Sequence, residues 1–134
     1  MLESEQPCPC ESGASYAECC QPYHLGKTKA PTAETLMRSR YAAYVMKAVD
    51  YLVETTLPAV RRTDLRQQYQ ETADSIQWVR LEVIRATQGS ETDTTGKVEF
   101  KATYLQDGQR AVHHELSRFR RYQSAWCYLD GQVT

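Results

Sequence analysis

Two periodicities divide the chain. Between residues 32 and 72 apolar residues recur at three- and four-residue steps, and from residue 76 onward they alternate with polar ones. In the first stretch Leu36, Met37, Tyr41, Tyr44, Val45 and Ala48 share one face of a helix, with Arg38 and Lys47 outside it. Thr32 stands where an N-cap belongs, just before Ala33 and Glu34. Asp50 is placed to cap a second, short helix over 51–55, which Pro58 keeps from extending. A less periodic segment, 64–72, predicts a third helix.

The period-two region predicts four strands. Over 76–86, Val79, Leu81 and Val83 point to one side and Trp78, Arg80, Glu82 and Ile84 to the other. Residues 90–96 read as a turn-rich loop. Val98, Phe100, Ala102 and Tyr104 alternate in a second strand. Asp107-Gly108 marks a hairpin, a third strand runs over 110–122, and a fourth over 125–129 ends at Asp130-Gly131. Helices first and a long meander afterwards predict an α+β fold, with one face of a curved antiparallel sheet packed on the helices. Residues 32–134 are long enough for a core of their own.

Ahead of this body, residues 1–28 have no periodicity but hold four of the five cysteines. The order is Cys8-Pro9-Cys10, eight residues, then Cys19-Cys20 and, four further on, His24; residues 26–31 read as a linker. Rigid Pro9 lets Cys8 and Cys10 turn their thiols to one side, Ser12-Gly13 suits the returning turn, and a short helix through Tyr16 delivers Cys19 and Cys20. Four thiolates enclose one tetrahedral zinc ion at about 2.3 Å each with no position left for water, a structural site and not a catalytic one. His24 is the substitute ligand should Cys20 turn away. A disulfide between adjacent cysteines, or across one proline, would be strained.

Charge and composition narrow the partners. At 134 residues one modest core is the ceiling, and 41% hydrophobic residues suffice to build it. The 16 Lys plus Arg against 17 Asp plus Glu leave a net charge of -1, so nothing global favours nucleic acid or an acidic membrane. No apolar run is long enough to span a bilayer, and the first residues are acidic where a secretory signal is basic. The expected location is the cytoplasm.

The segment CPCESGASYAECC resembles the SEC-C zinc motif known from the carboxyl end of the SecA translocation ATPase, which implies zinc-ligand roles for Cys8, Cys10, Cys19 and Cys20. Many members have Gly where this chain has Glu11 and lysines at Ala14, Ser15, Ala17 and Glu18, so this knuckle lacks the usual basic surface. The segments LMRSRYAAYV, DYLVETT, VEFKATY, HELSRF and WCYLDG resemble the YchJ family of bacterial proteins. That resemblance implies a SEC-C knuckle followed by a nuclear-transport-factor-two-like, cystatin-like cone, with a pocket between sheet and helices.

The polar residues available to such a pocket are Arg38 and Arg40 on the first helix and His114, Glu115 and Arg118 on the third strand. Strand alternation sets His114, Leu116 and Arg118 on one face and His113, Glu115, Ser117 and Phe119 on the other, which splits a His114–Glu115 dyad. The expectation is a charge network of Arg38, Arg40, Glu115 and Arg118 at the pocket, with Glu115 paired to Arg38 or Arg40, gripping a small anionic ligand or a protein partner. His113 and His114 read as surface or satisfied-core residues, Trp78, Trp126 and Phe100 as core, and Cys127 as an inert strand thiol. Arg118, Arg120 and Arg121 with Arg61, Arg62 and Arg66 read as solvated. The leading functional expectation is a non-enzymatic, zinc-stabilised adaptor or ligand-binding module. The alternatives are a small cone-fold hydratase or isomerase with its acid/base group at Glu115 or His114, and a ribosome- or translocation-associated module.

Overall fold

The computed structural model describes residues 5–134; residues 1–4, the start of the 1–28 segment, lie outside the described residues. In chain order the helices are α1 (Gln21–His24), α2 (Ala33–Met46), α3 (Val49–Glu54) and α4 (Leu65–Ser75). Thr32 caps α2, its Oγ1 accepting from the Thr35 amide at 3.1 Å. At the other end Lys47 adopts a left-handed conformation, φ 58°, and its amide reaches back to the carbonyls of Ala43 and Tyr44. That tight reversal starts α3 earlier than its acidic residue implied. Ala48 holds the N-cap position, while Asp50 lies in the first turn and binds Arg66 on α4. α4 runs through Ser75, three residues past the expected end.

Four strands, β1 (Gln77–Gln88), β2 (Thr95–Gln106), β3 (Gln109–Tyr122) and β4 (Ala125–Val133), pair antiparallel in sequence order, a meander. Asp107 and Gly108 both have positive φ, the two-residue turn whose twist suits a hairpin. Two features of the sheet shape the cavity. A bulge between Trp78 and Arg80 pairs Trp78 with Tyr104 and Leu81 with Ala102, so Trp78 joins Leu81 on the inner face and Val79 is turned out. In addition, β4 does not stop at Asp130-Gly131. Asp130 pairs with Arg118 and Gly131 with Ser117, because a strand position there must carry no side chain: a Cβ on Gly131 would lie 2.1 Å from Oε2 of Glu115.

The inner face of the sheet, with Leu81, Val98, Ala102, Phe119 and Trp126 buried, closes on Leu36, Met37 and Tyr41 of α2. The start of α2 touches the β1–β2 loop at Gly89 and Gly96, where only hydrogens fit beside Ala33. The free edge of β4 is covered by residues 55–57, with Leu57 donating to the Tyr128 carbonyl and Tyr128 to that of Thr55. α2 is therefore enclosed on more sides than a one-faced helix, and Ser39 and Arg40 are buried with the apolar residues.

The knuckle is not a separate lobe. Cys8, Cys10, Tyr16 and Cys20 belong to the same buried cluster as Leu36 and Leu81. Arg38 donates to the Cys10 carbonyl at 2.7 Å, and the Leu81 amide, on the β1 edge, donates to the Glu11 carboxylate at 2.5 Å. Glu11 itself has φ 62°, a conformation that glycine adopts freely; its side chain offsets the backbone cost by capping the sheet edge. No helix among the described residues is long and apolar enough to cross a membrane.

Candidate metal centre and cavity

Three local turns assemble the cysteines. The Cys8 amide donates to the Ala14 carbonyl at 2.9 Å and the Glu11 amide to the Cys8 carbonyl at 3.1 Å, which folds Cys8 and Cys10 over one loop. A single 3-10 turn, Tyr16–Glu18, is capped by Ser15 and hands the chain to α1 with Cys19 and Cys20 between. The four Sγ atoms lie within 4.8 Å of one another, with Cys10 to Cys19 at 3.5 Å and Cys19 to Cys20 at 3.8 Å. A tetrahedron with bonds of about 2.3 Å has sulfur–sulfur edges of about 3.8 Å. The donor set and its spacing fit a four-coordinate metal ion, and Ser12 Oγ lies 3.1 Å from Cys19 Sγ as an outer partner.

The cluster is electrostatically prepared for a cation. Hydrogen bonds from Cys20 and then Cys8 hold the Cys10 thiol far below the ordinary thiol range. The same bonding, with burial, pushes Cys8 up to about 12 and raises Cys20 as well. Sulfurs packed this closely share protons that a metal ion displaces on binding. His24 is not part of this set. Its Nδ1 is hydrogen-bonded to Tyr16 Oη at 2.7 Å and its Nε2 donates to the Ser39 carbonyl at 2.8 Å, so α1 turns the ring towards α2 and away from the thiols. Burial lowers its pKa, leaving a neutral imidazole that ties the knuckle to the body.

A second feature is a cavity of about 310 Å³ between the helices and the sheet, mostly apolar, walled by Arg40 and Tyr44 of α2, Tyr69 of α4, and Trp78, His113 and Glu115 of the sheet. Arg40 is 6% exposed. Its Nη1 donates to the Leu52 carbonyl at 2.9 Å and to Thr55 Oγ1 at 2.7 Å, and its Nη2 to Tyr69 Oη at 2.9 Å. The guanidinium also lies over the Tyr128 ring, 4.7 Å from its centroid. Glu115 accepts from His113 Nε2 at 2.8 Å, Ser117 Oγ at 2.5 Å and Tyr128 Oη at 3.1 Å. Burial raises its pKa, but the His113 and Ser117 hydrogen bonds, the nearby imidazole and Tyr128 outweigh that, and the carboxyl sits below the usual range.

The expected charge network is therefore rearranged. Arg40 and Glu115 both reach the cavity but do not pair; Tyr128 stands between them, its ring against one and its hydroxyl on the other. Arg38 lies on the knuckle side of α2, bound to Glu34 and Cys10, because a two-residue step turns about 200° round a helix and sets it opposite Arg40. Arg118 and His114 lie on the outer face of β3, paired with Asp130 and Glu99. The histidine that joins Glu115 is His113, two residues away on the same strand face, where alternation alone would have found it. Of the other arginines, Arg121 stacks on Trp126 at 4.5 Å and donates to loop carbonyls, Arg61 donates to the Thr56 carbonyl, and Arg62 and Arg120 are exposed. Cys127 is a buried thiol whose pKa burial raises.

The family described as "YchJ, middle NTF2-like domain" matches residues 32–131, and the SEC-C motif matches residues 6–22. The chain belongs to the YchJ family. A UPF0225 protein of Geobacter sulfurreducens is 44% identical over 124 residues, covering 92% of this chain and 77% of its own. Another, from Streptomyces coelicolor, is 41% identical over 126 residues and covered to 94% on both sides. Among solved structures, the chain is similar to a SEC-C motif containing protein from Rhodopseudomonas palustris, with TM-score 0.84, 35% identity and coverage of 95% of this chain and 98% of that one. A SEC-C motif containing protein from Psychrobacter arcticus gives TM-score 0.81 at 34% identity, covering 100% and 86%. The YchJ assignment covers both parts of the molecule, the SEC-C knuckle and the nuclear-transport-factor-two-like cone.

Proposed function

We propose that this YchJ protein is a non-enzymatic binding module of the cytoplasm, in which a structural zinc ion at Cys8, Cys10, Cys19 and Cys20 fixes α2, and the cone cavity takes a small anionic ligand with an apolar body. Reduced thiols accord with that compartment, and five unpaired cysteines are present. Zinc would order the knuckle against α2 and leave no open coordination position for chemistry.

The observation that carries the ligand reading is Arg40. It is a buried cation on the cavity wall, held among the described residues by a carbonyl, two hydroxyls and aromatic rings, with no carboxylate partner. A guanidinium donates five hydrogen bonds and three are used among the described residues, so an anion entering the cavity meets a guanidinium with N–H groups to spare. The test is a thermal-shift comparison of aromatic carboxylates with their matched amides, combined with metal analysis of protein purified without chelator. Stabilisation by the acids alone, with one zinc per chain, is expected. Equal effects of acids and amides would defeat the anion reading, and an absence of zinc would defeat the metal reading.

A second reading, a small hydratase or isomerase, has one supporting observation, the His113–Glu115 contact at 2.8 Å in an apolar cavity. It assigns the acid/base role to His113, assisted by Glu115, and not to His114. Turnover of a hydroxy acid or enoic acid that is lost in His113→Gln would establish it.

A further inference from the structure

Across the cavity from Arg40 stands a second polar group, and its chemistry is set by its neighbours. Glu115 is fixed by three donors and by the missing side chain at Gly131, so its carboxylate has one place to lie. An ionised carboxylate only accepts; the proton in the His113 contact is therefore on Nε2, and Nδ1 is the ring nitrogen left to meet a ligand. Among the described residues Nδ1 has no hydrogen-bond partner, yet the one side-chain nitrogen or oxygen that is both sealed and unpartnered is Trp78 Nε1. Nδ1 is thus open. The ring lies on the cavity wall between Trp78 and Phe100, with centroids at 6.2 and 6.0 Å.

We infer that His113 determines the specificity of the cavity by accepting a hydrogen bond from a ligand hydroxyl, so that the ligand class is a small hydroxylated aromatic acid. The inference rests on the anion reading of Arg40 and adds the other end of the ligand. An aromatic body suits walls built from Tyr44, Tyr69, Trp78 and Phe100. A hydroxyl at His113 adds no charge to a cavity that already holds the opposite charges of Arg40 and Glu115. A site built to accept from a hydroxyl rejects the analogue lacking it more strongly than an apolar wall rejects a lost methylene.

The experiment uses one scaffold with each end varied: 4-hydroxycinnamate, cinnamate, 4-methoxycinnamate and 4-hydroxycinnamide, titrated by calorimetry at pH 7.5 into the full chain and into His113→Phe. The expected result is that 4-hydroxycinnamate binds at least about tenfold tighter than cinnamate or the methoxy compound. In His113→Phe that difference between the hydroxy acid and its analogues disappears. In the unsubstituted chain, the imidazole ¹⁵N signal of Nδ1 shifts with the hydroxy acid and not with the methoxy acid, a readout that stands even if the variant does not fold. Equal binding of cinnamate and 4-hydroxycinnamate, or an unmoved Nδ1 signal, overturns the role of His113 and leaves the Arg40 reading intact. Binding of the amide as tightly as the acid overturns the Arg40 reading itself, and no binding of any probe overturns both.

Discussion

Single residues in this protein are shaped by which donors surround them more than by their formal charge. Glu115 and Arg40 are opposite charges on one cavity, yet each is satisfied locally, Glu115 by His113, Ser117 and Tyr128 and Arg40 by Leu52, Thr55 and Tyr69. A depressed folded-state pKa gives Glu115 a defined acid dependence. Its contribution is complete above the ordinary unfolded carboxylate value of about 4.3, shrinks as pH falls below that, and is gone below the folded value. Glu115→Gln should therefore be less stable than the parent by about 1–3 kcal/mol near neutrality, the cost of disturbing a buried charge-assisted network. Denaturant titrations at a series of pH values should show the gap closing on the acid side. A gap that stays constant down to pH 3 would mean that the carboxylate is not ionised in the folded protein.

At the level of elements, the ends of helices and strands carry the departures from simple pattern. Thr32 capped α2 as its position indicates, but the stop at Lys47 has no glycine, and nothing in the pattern announces a left-handed residue there. Replacing Lys47 by Gly removes the Cβ penalty of that conformation and should raise stability by about 0.5–1 kcal/mol, since the pair with Asp74 that it deletes is exposed and worth little. Thermal denaturation checks this; a loss of stability would show that the Lys47 side chain matters more than its backbone. The bulge at Val79 had a comparable effect on β1. Strict alternation put Trp78 on the wrong face, and one unpaired residue moved it onto the cavity wall.

Over the whole molecule, the knuckle and the cone share one buried cluster, joined through Arg38 on Cys10, Glu11 on Leu81 and His24 on Ser39. A core of this size is sensitive to losing any wall. Withdrawing the metal with a strong chelator should lower the melting temperature of the full chain, with the transition restored by adding zinc back. Because α2 carries Arg38 and Arg40 two residues apart, on opposite sides of the helix, chelation should also weaken aromatic-acid binding in the cavity. Calorimetry before and after chelation checks the coupling; an unchanged melting temperature would make the knuckle an independent appendage.

Local spacing determined the parts whose chemistry is local. Four cysteines within thirteen residues, joined by a proline and a turn, converge whatever the rest of the chain does, and the change from helical to alternating periodicity determined the order of helices and strands. The faces of β3 followed from alternation as well, so the separation of His114 from Glu115 was legible, and the approach of His113 to Glu115 was contained in the same pattern. Tertiary structure decided what depends on distant segments. It turned Arg38 to the knuckle and Arg40 to the cavity, took His24 from the metal side to Ser39, carried β4 past Asp130 because Gly131 makes room for Glu115, and put Tyr128 between the two buried charges. The reason is physical. A buried polar group must be satisfied by whichever donor or acceptor the packed fold brings within 3 Å or so, and that partner comes from a part of the chain that local periodicity does not specify.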